Sequence, residues 1–327
     1  MRISLISDHL TQSCLELDCD VVNLTPINWR WMLRFKRPDF LLVESAWEGY
    51  RNSWKYKVAS YSNHPNRNNH QLAALVDFAR NRGIPTVFWN KEDGVHFDRF
   101  IASAKLFDHI FTVDRNCIPR YQSVVDPGTT VDTLMFPVQP ATHGFDGFHF
   151  KHHRANFVGS YSHHIHDQRR AWQDIFFSAA SSTGLGLTVV DRNSDRKSEN
   201  YRYPALPDLT VLPAMPHRLT AKIYKDYLVS LNVNTIVDSE TMYSRRLTEI
   251  LACGGIAVTN PSPAVEKYFK DFCHVVRAAD EARELFARLK HGPDANDLAR
   301  AEAGSRYVLS EHTWAHRLQQ IVRVLGL

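Results

Sequence analysis

The sequence contains no long apolar run, and this absence excludes two classes of protein. No stretch reaches the roughly 20 apolar residues that a membrane-spanning helix needs. The apolar stretch near the N-terminus is also too short for a secretory signal. Cysteine is sparse: there are five thiols, an odd number, and none has CxxC spacing. We therefore expect reduced core thiols in a cytoplasmic protein, not a disulfide framework or a zinc site.

The chain also lacks a charge bias and a glycine-rich signature. It carries 39 Lys and Arg against 35 Asp and Glu, a net charge of +4, so we expect no nucleic-acid partner. Its 14 Gly and 15 Pro exclude collagen-like or low-complexity character, and no GxGxxG fingerprint supports a hydride-transfer cofactor. The 327 residues, 44% of them hydrophobic, are typical of a soluble globular chain of two domains.

Short apolar runs alternate with helical stretches in both halves, which predicts an α/β fold. Strands are predicted at Arg2–Ile6, Val21–Leu24, Phe40–Glu44, Thr86–Trp89, His109–Val113, Ala155–Val158, Leu187–Val190, Leu209–Leu212, Val229–Val233 and Ile256–Thr259. The clearest helices are predicted at His70–Arg82, Gln168–Ser182, Leu219–Tyr227, Ser244–Ala252, Glu281–Lys290 and Trp314–Leu325. Residues 126–153, with three Pro and three Gly, are the best candidate for a linker.

Ligands of such folds bind beyond the carboxyl ends of parallel strands, and one candidate loop follows the first strand of the second half. Gly159 allows close backbone approach, and Ser160 can donate to a phosphate. Arg169 and Arg170 then stand at the start of a helix, where cations oppose the helix dipole. A bound diphosphate would account for both features. The alternative is a plain turn with solvated arginines.

A second candidate segment begins at Tyr243 and runs into a predicted helix and strand. Its polar first turn contains Ser244, Arg245 and Arg246, and Glu249 lies three positions after Arg246 on one helical face. The preceding strand ends at the expected ligand edge, where a carboxylate can bind ribose hydroxyls while arginines hold phosphate. The alternative is an intrahelical ion pair.

These residues carry a family resemblance. The run RRLTEILACGGIAVTNPSPAVEKYF resembles the signature of GT-B-type sugar-nucleotide glycosyltransferases, specifically the CgeB-like group. Further segments that match this group are PDFLLVESAWEG, IPTVFWNKEDGVHFDRF, FDHIFTVD, FVGSYSHHIHDQRR and SEHTWAHRL. The resemblance implies a GT-B fold of two Rossmann-like domains that face each other across a cleft. Residues 1–150 would form the acceptor domain and 154–311 the donor domain, with a last helix, 312–327, able to pack back on the first.

The resemblance also assigns residues to a donor, which it implies to be a nucleoside-diphosphate sugar, with UDP- and dTDP-sugars favoured. Glu249 resembles the acidic residue at the donor ribose, and Arg246 and Arg169 resemble those at the diphosphate. The predicted donor-binding set is Gly159, Ser160, Arg169, Met215, Tyr243, Ser244, Arg245, Arg246 and Glu249. The two glutamates of the retaining pattern are not at the usual spacing, since Thr241 stands where the first would fall. Retention or inversion therefore stays open.

Acidic residues after two first-half strands are the candidates for a catalytic base. An inverting transferase needs a base for the acceptor hydroxyl, and burial near aromatic rings would raise a carboxylate pKa towards neutrality. We predict Glu44 first and Asp93 second, the alternative being loop ion pairs and helix caps. The acceptor or phosphate side is predicted to include Glu48, Trp89, Lys91, His163 and His166.

The histidine clusters do not predict a metal site. Those at 149–153 fall in the candidate linker, and those at 163–166 have no Cys or carboxylate partner at zinc spacing. GT-B enzymes neutralise the leaving diphosphate with Arg, Lys and helix dipoles, so no metal or other cofactor is required. We thus expect a glycosyltransferase in surface glycan or glycoconjugate synthesis, with a glycan, lipid-linked or protein acceptor. Peripheral membrane contact and the oligomeric state stay open, and the alternative function is a non-catalytic cytosolic nucleotide- or sugar-binding module.

Overall fold

The computed structural model describes residues 1–327, which form two compact units. Unit 1 comprises Met1–Met135 together with Trp314–Leu327, and unit 2 comprises Phe136–Thr313. Each unit is built on a six-stranded sheet in which every paired strand is parallel. None of the helices has both the length and the apolarity to cross a bilayer.

Unit 1 alternates strands and helices along the chain. Its strands are β1 (Arg2–Ile6), β2 (Asp20–Asn23), β3 (Phe40–Glu44), β4 (Thr86–Asn90), β5 (His109–Thr112) and β6 (Thr130–Thr133). Its first helices are α1 (His9–Leu15), α2 (Trp29–Phe35), α3 (His70–Arg80), α4 (Phe97–Ala104) and α5 (Ile118–Gln122). The strand order β2-β1-β3-β4-β5-β6 places β3 and β4 at the centre, where all their residues are buried. The carboxyl ends of the parallel strands share one edge, as a ligand site in such a sheet requires.

Unit 2 repeats this plan with its own sheet and core. Its strands are β7 (His152–Gly159), β8 (Leu187–Asp191), β9 (Leu209–Leu212), β10 (Tyr227–Asn232), β11 (Ile256–Thr259) and β12 (His274–Val275). Its helices are α6 (Asp167–Ser182), α7 (Thr220–Asp226), α8 (Arg245–Ala252), α9 (Pro263–Tyr268), α10 (Ala279–Leu289) and α11 (Ala295–Glu311). The strand order β12-β11-β10-β7-β8-β9 makes β7 and β10 central neighbours. Loops after β7 and β10 therefore lie side by side.

The last helix, α12 (Trp314–Leu325), belongs to unit 1. The Trp314 ring meets the Trp89 ring edge-on, with centroids 5.4 Å apart. Arg317 Nε donates to the carbonyl oxygen of Met135 at 2.8 Å. The chain thus ends against the unit in which it began.

The expected α/β class is confirmed. Several predicted strands and helices differ from the observed ones by a few residues at their ends, and the candidate linker needs correction. Residues 126–153 are not wholly irregular, because β6 lies within them and pairs with β5. The β6 sequence, TVDT, is short and polar, with only half-buried or exposed positions. An edge strand of this kind gives a weak apolar signal, so it is easily taken for loop.

Candidate functional site

An arginine from α8 lies against the carboxyl end of β7. Arg246 Nε donates to the carbonyl oxygen of Val158 at 2.5 Å, and its guanidinium carbon lies 4.4 Å from the Phe157 ring centroid. Its Nη1 is 3.5 Å from Asn232 Oδ1, so its hydrogen-bond partners are all neutral. Burial lowers the pKa of Arg246 to about 10. A half-buried cation whose hydrogen-bond partners are all neutral is poorly stabilised, and a bound anion would supply the opposite charge.

Gly159 makes room for this arginine. A Cβ at position 159 would lie 2.9 Å from Arg246 Nη2 and 2.6 Å from the Phe157 ring. Both distances are shorter than carbon atoms tolerate in ordinary contact. The absence of a side chain at Gly159 is therefore a condition for the position of Arg246.

A second arginine, Arg169 in the first turn of α6, likewise has no acidic group paired with its positive charge. Its buried Nε has no hydrogen-bond partner, and burial lowers its pKa. Arg169 and Arg246 both interact electrostatically with Arg192 and Tyr203, so cations from three elements converge. We call Gly159, Ser160, Arg169 and Arg246 the anion loop. Ser160 follows Gly159 directly and is partly exposed.

Glu249 lies three residues after Arg246 and is 4% exposed. Its Oε1 accepts hydrogen bonds from Arg245 Nε at 2.8 Å and from His217 Nε2 at 2.7 Å. Burial opposes ionisation of Glu249, but Arg245 and His217 outweigh it and hold the pKa well below its usual range. Glu249 is therefore ionised, and with Oε1 fixed by the protein, its Oε2 is left to accept from ligand hydroxyl groups.

His217 in turn packs on a buried histidine. The ring centroids of His143 and His217 are 4.8 Å apart, and His143 Nε2 lies 2.9 Å from Thr220 Oγ1. Burial lowers the pKa of His143 to about 4, so the ring is neutral at physiological pH. Sequence reasoning missed both histidines, because neither stands at motif spacing from Glu249.

His143, His217 and Glu249 also form a group whose potential metal-ligating atoms all lie within 4.8 Å of one another. The Arg245 guanidinium donates to Oε1 of Glu249 at 2.8 Å, so a positive charge already lies beside this carboxylate. A fixed cation at hydrogen-bond distance opposes a divalent ion there. The arrangement favours a hydrogen-bonded network that orients Glu249.

The remaining donor-side candidates are Tyr243, Ser244 and Met215. Tyr243 is buried, and its hydroxyl donates to the carbonyl oxygen of Phe136 at 2.6 Å. The backbone N–H of Ser244 donates to Asn234 Oδ1 at 2.9 Å, which fixes the start of α8. Met215 is partly exposed in the loop after β9, which also contains the nearby His217. Their assignment to the donor stays a prediction.

The two histidines predicted after the β7 turn are held by local geometry. His163 is exposed, and its Nε2 lies 3.1 Å from the carbonyl oxygen of Arg202. His166 precedes α6 in the left-handed conformation, with φ of 60°. The structure places both on the loop between Ser160 and Arg169, and their predicted role stays untested.

In unit 1, Glu44 is the centre of a buried charge cluster. Its Oε1 accepts from Lys91 Nζ at 2.8 Å and from the backbone N–H of Asp8 at 2.7 Å, and its Oε2 accepts from Thr11 Oγ1. Burial raises the pKa of Glu44, while Glu44 and Asp8 outweigh the effect of burial on Lys91 and raise the pKa of the lysine. Asp8, which sequence reasoning missed, accepts from the backbone N–H groups of residues 47–49. The signal for it was its place just after β1.

Asp93 is the second buried carboxyl of unit 1. It accepts from Asn90 Nδ2 at 2.6 Å and from the Tyr121 hydroxyl at 2.9 Å. Burial raises the pKa of Asp93 to about 7. That value suits a general base, whereas full enclosure of Asp93 and of Glu44 favours a role in positioning the loops. The catalytic assignment of either residue stays a prediction.

The other two acceptor-side candidates differ in exposure. Trp89 is 2% exposed, and its Nε1 donates to the carbonyl oxygen of Leu134 at 3.0 Å, so its ring is part of the core. Glu48 is exposed and forms an ion pair with Lys55 at 3.3 Å. Of the two, Glu48 alone presents its side chain to solvent.

Comparison with solved structures identifies the fold. The fold is similar to an α-glucosyltransferase solved with UDP and a DNA 13-mer (TM-score 0.69, 10% identity, 100% of both chains). It is also similar to T4 phage BGT solved with UDP and Mn²⁺ (0.61, 12%, 100% of both). A third similar structure is sucrose-phosphate synthase from Thermosynechococcus elongatus (0.55, 11%, 98% of this chain and 79% of that one). Two parallel α/β units of this kind define the GT-B fold, as predicted.

The family follows from the sequence match. Residues 151–323, more than half of the chain, match the family model described as glycosyl transferase-like, and the protein belongs to that family. A search of curated protein sequences finds no match. The expectation of a glycosyltransferase is thereby confirmed.

Proposed function

We propose that the protein transfers a sugar from a nucleoside-diphosphate sugar, a UDP-sugar first among them, to a hydroxyl acceptor. The observation that carries this proposal is the anion loop, where the half-buried Arg246 and Arg169 have no acidic hydrogen-bond partner. A diphosphate is the ligand class that two such guanidinium groups bind best, because its oxygens match the donor geometry of Arg.

The neighbouring Glu249 supports a nucleoside rather than inorganic diphosphate. An ionised carboxylate with one free oxygen repels phosphate and accepts from hydroxyl groups, as a ribose offers. Cations on one side and a carboxylate on the other therefore orient the donor along α8. His217 and Arg245 keep that carboxylate ionised, so the orientation persists across physiological pH.

Catalysis would follow from the same groups. The glycosidic carbon–oxygen bond breaks as the acceptor hydroxyl oxygen attacks, and negative charge develops on the departing diphosphate. Arg246 and Arg169 would stabilise that charge, and Arg246 would do so from a position already fixed by the Val158 carbonyl oxygen. We extend the proposal to the CgeB-like group of the family, with unit 2 as donor domain and unit 1 as acceptor domain. For the base we keep Glu44 first and Asp93 second. Burial raises the pKa of both carboxyl groups, that of Asp93 to about 7, and because both are fully enclosed their loops would have to open for an acceptor hydroxyl to reach either one.

Nucleotide binding tests the donor site directly. We expect one of UDP, dTDP, GDP, ADP and CMP to raise the thermal midpoint of unfolding, with and without Mg²⁺. A ligand at a hundred times its Kd stabilises the folded state by about 2.7 kcal/mol. Arg246→Met should abolish the shift. Arg306→Met is the matched control, because Arg306 is an exposed arginine of α11 paired only with Glu302.

Release of the nucleoside diphosphate from the corresponding sugar nucleotide separates the two candidate functions. Turnover that requires an acceptor supports the transferase. Tight binding of nucleotide without release under any acceptor would support the non-catalytic binding module instead. If no nucleotide shifts the midpoint and Arg246→Met behaves like wild type, the proposed donor site is wrong.

A further inference from the structure

Helix α2 of unit 1 has an outer face that is apolar and uncovered. Trp31 is 66% exposed and Phe35 is 62% exposed, while Ile27, in the turn before the helix, is 91% exposed. The rings of Trp31 and Phe35 stack with centroids 5.3 Å apart and an angle of 18°. The opposite face is ordinary core, since Trp29 and Leu33 are buried. The helix therefore does not need Trp31 or Phe35 for its own packing.

The charge around this face has one sign. Between positions 21 and 38 the sequence contains four cations, Arg30, Arg34, Lys36 and Arg37, and no Asp or Glu. All four side chains are exposed. Of the two flanking acidic residues, Asp20 pairs with the Arg2 side chain, whereas Asp39 accepts only from the Arg2 backbone N–H and keeps its charge. Residues 21–39 thus carry four cations against one carboxylate, Asp39, and the segment stays positive.

The backbone at the end of α2 supports the same view. Arg37 has φ of 44°, in the left-handed region that favours glycine. A glycine there would relieve the backbone strain. The helix ends on a cation where glycine would be the more stable choice.

We propose that Ile27, Trp31, Phe35, Arg30, Arg34, Lys36 and Arg37, the α2 patch, docks on the surface of an anionic lipid bilayer. Two aromatic side chains on one side of a short helix, with Ile27 in the turn before it, suit burial at the headgroup boundary, and Trp favours that interface. Cations beside them are attracted to anionic headgroups. The proposal does not depend on the donor site, because docking requires neither nucleotide nor turnover.

Two other occupants fit the patch less well. A second copy of this chain packed symmetrically would bring eight cations together, and like charges oppose such a contact. A nucleic acid would use the cations, but Ile27 offers it neither a hydrogen bond nor a ring to stack on. The combination of a bare aliphatic side chain with stacked aromatic rings favours lipid.

Flotation of the full-length protein with vesicles tests the proposal. We expect binding to vesicles of 30% phosphatidylglycerol in phosphatidylcholine, and release by 0.5 M NaCl because salt screens the attraction. Each cation near such a surface contributes about fivefold to the partition coefficient, so Arg34→Gln with Arg37→Gln should lower it about 30-fold. Trp31→Ser with Phe35→Ser should abolish flotation. Val211→Ser is the control, since Val211 is an apolar residue of β9 that is 51% exposed.

A second measurement reports insertion without relying on loss of binding. Brominated lipid should quench part of the tryptophan emission of the wild type, and Trp31→Phe should remove most of that quenching. Thermal midpoints equal to wild type show that the variants are folded. Flotation of the Trp31→Ser, Phe35→Ser variant at wild-type level would overturn the proposal. So would vesicle-independent dimerisation, or binding of a DNA duplex in place of vesicles, that the same variant abolishes.

Discussion

Adding one methyl group at Gly159 tests whether the anion loop works as the geometry indicates. The Cβ of Gly159→Ala would lie 2.6 Å from the Phe157 ring and 2.9 Å from Arg246 Nη2. Phe157 is 1% exposed and packs on Phe177 at 5.2 Å, so its ring has no space into which to move. The overlap must displace Arg246 or strain the strand end. Overpacking of this kind costs about 1–3 kcal/mol.

Two measurable losses follow from that displacement. For a unit of this size, 1–3 kcal/mol corresponds to a fall of about 3–9 °C in Tm. Displaced Arg246 also loses its interaction with the bound diphosphate, and a hydrogen bond to a charged group contributes about 1.5–3 kcal/mol. We therefore expect Kd for the preferred nucleoside diphosphate to rise about 10- to 150-fold.

Calorimetric titration and thermal unfolding of the same preparations measure both losses. Gly128→Ala is the control, because a Cβ at position 128 meets nothing within 4 Å. Wild-type Tm together with wild-type affinity in Gly159→Ala would refute the argument. Lower Tm with unchanged affinity would mean that the strand end, and not a diphosphate-binding Arg246, requires the glycine.

Three further outcomes test the other charged groups. Glu44→Ala leaves Lys91 buried without its closest partner. The free energy of unfolding, measured by urea titration at pH 7, should therefore fall by about 3–5 kcal/mol. Adding Lys91→Met to this variant should restore part of the loss. Because the pKa of Asp93 is raised to about 7, the folded state keeps a proton that the unfolded chain has released. The free energy of unfolding should therefore fall between about pH 4 and 7 by up to about 1.4 kcal/mol per pH unit. Asp93→Asn should flatten that slope in urea titrations at several pH values. Glu249→Gln should weaken nucleotide binding about tenfold in calorimetry, and Tm should also fall because Arg245 and His217 lose their charged partner. Unaltered affinity would exclude contact with the ribose.

Four strands, β1, β3, β9 and β11, have the predicted bounds. Three of them are almost wholly buried, and a buried parallel strand appears in the sequence as a continuous apolar run, whereas β9 is an edge strand with half-buried or exposed positions. The anion loop was also accessible to prediction. Gly159 and the arginines of α6 and α8 stand at strand ends, and parallel strands bring such ends to one edge.

Elements whose packing depends on small residues escaped prediction. The longest helix, α11, buries Ala301, Gly304 and Ser305 and shows no apolar stripe. A Cβ at Gly304 would lie 3.1 Å from Leu251 Cδ2, so close approach to α8 itself selects small side chains. The small residues of such a helix are explained only by the helix that it packs on, and the residue pattern of one segment does not include that helix.

The same reasoning explains why the catalytic base resisted assignment while the anion loop did not. Position at a strand end predicts where a side chain lies, but exposure depends on residues distant in sequence. Glu44 has the predicted position, yet Lys91, 47 residues away, and Thr11 enclose its carboxylate. In the folded chain the hydrogen-bond partners of Arg246 are a carbonyl and an amide oxygen, so no carboxylate is bound to its charge. An uncompensated charge at the ligand edge is thus stronger grounds for a binding site than a carboxylate at the same edge, because burial can neutralise a carboxylate but leaves an arginine charged.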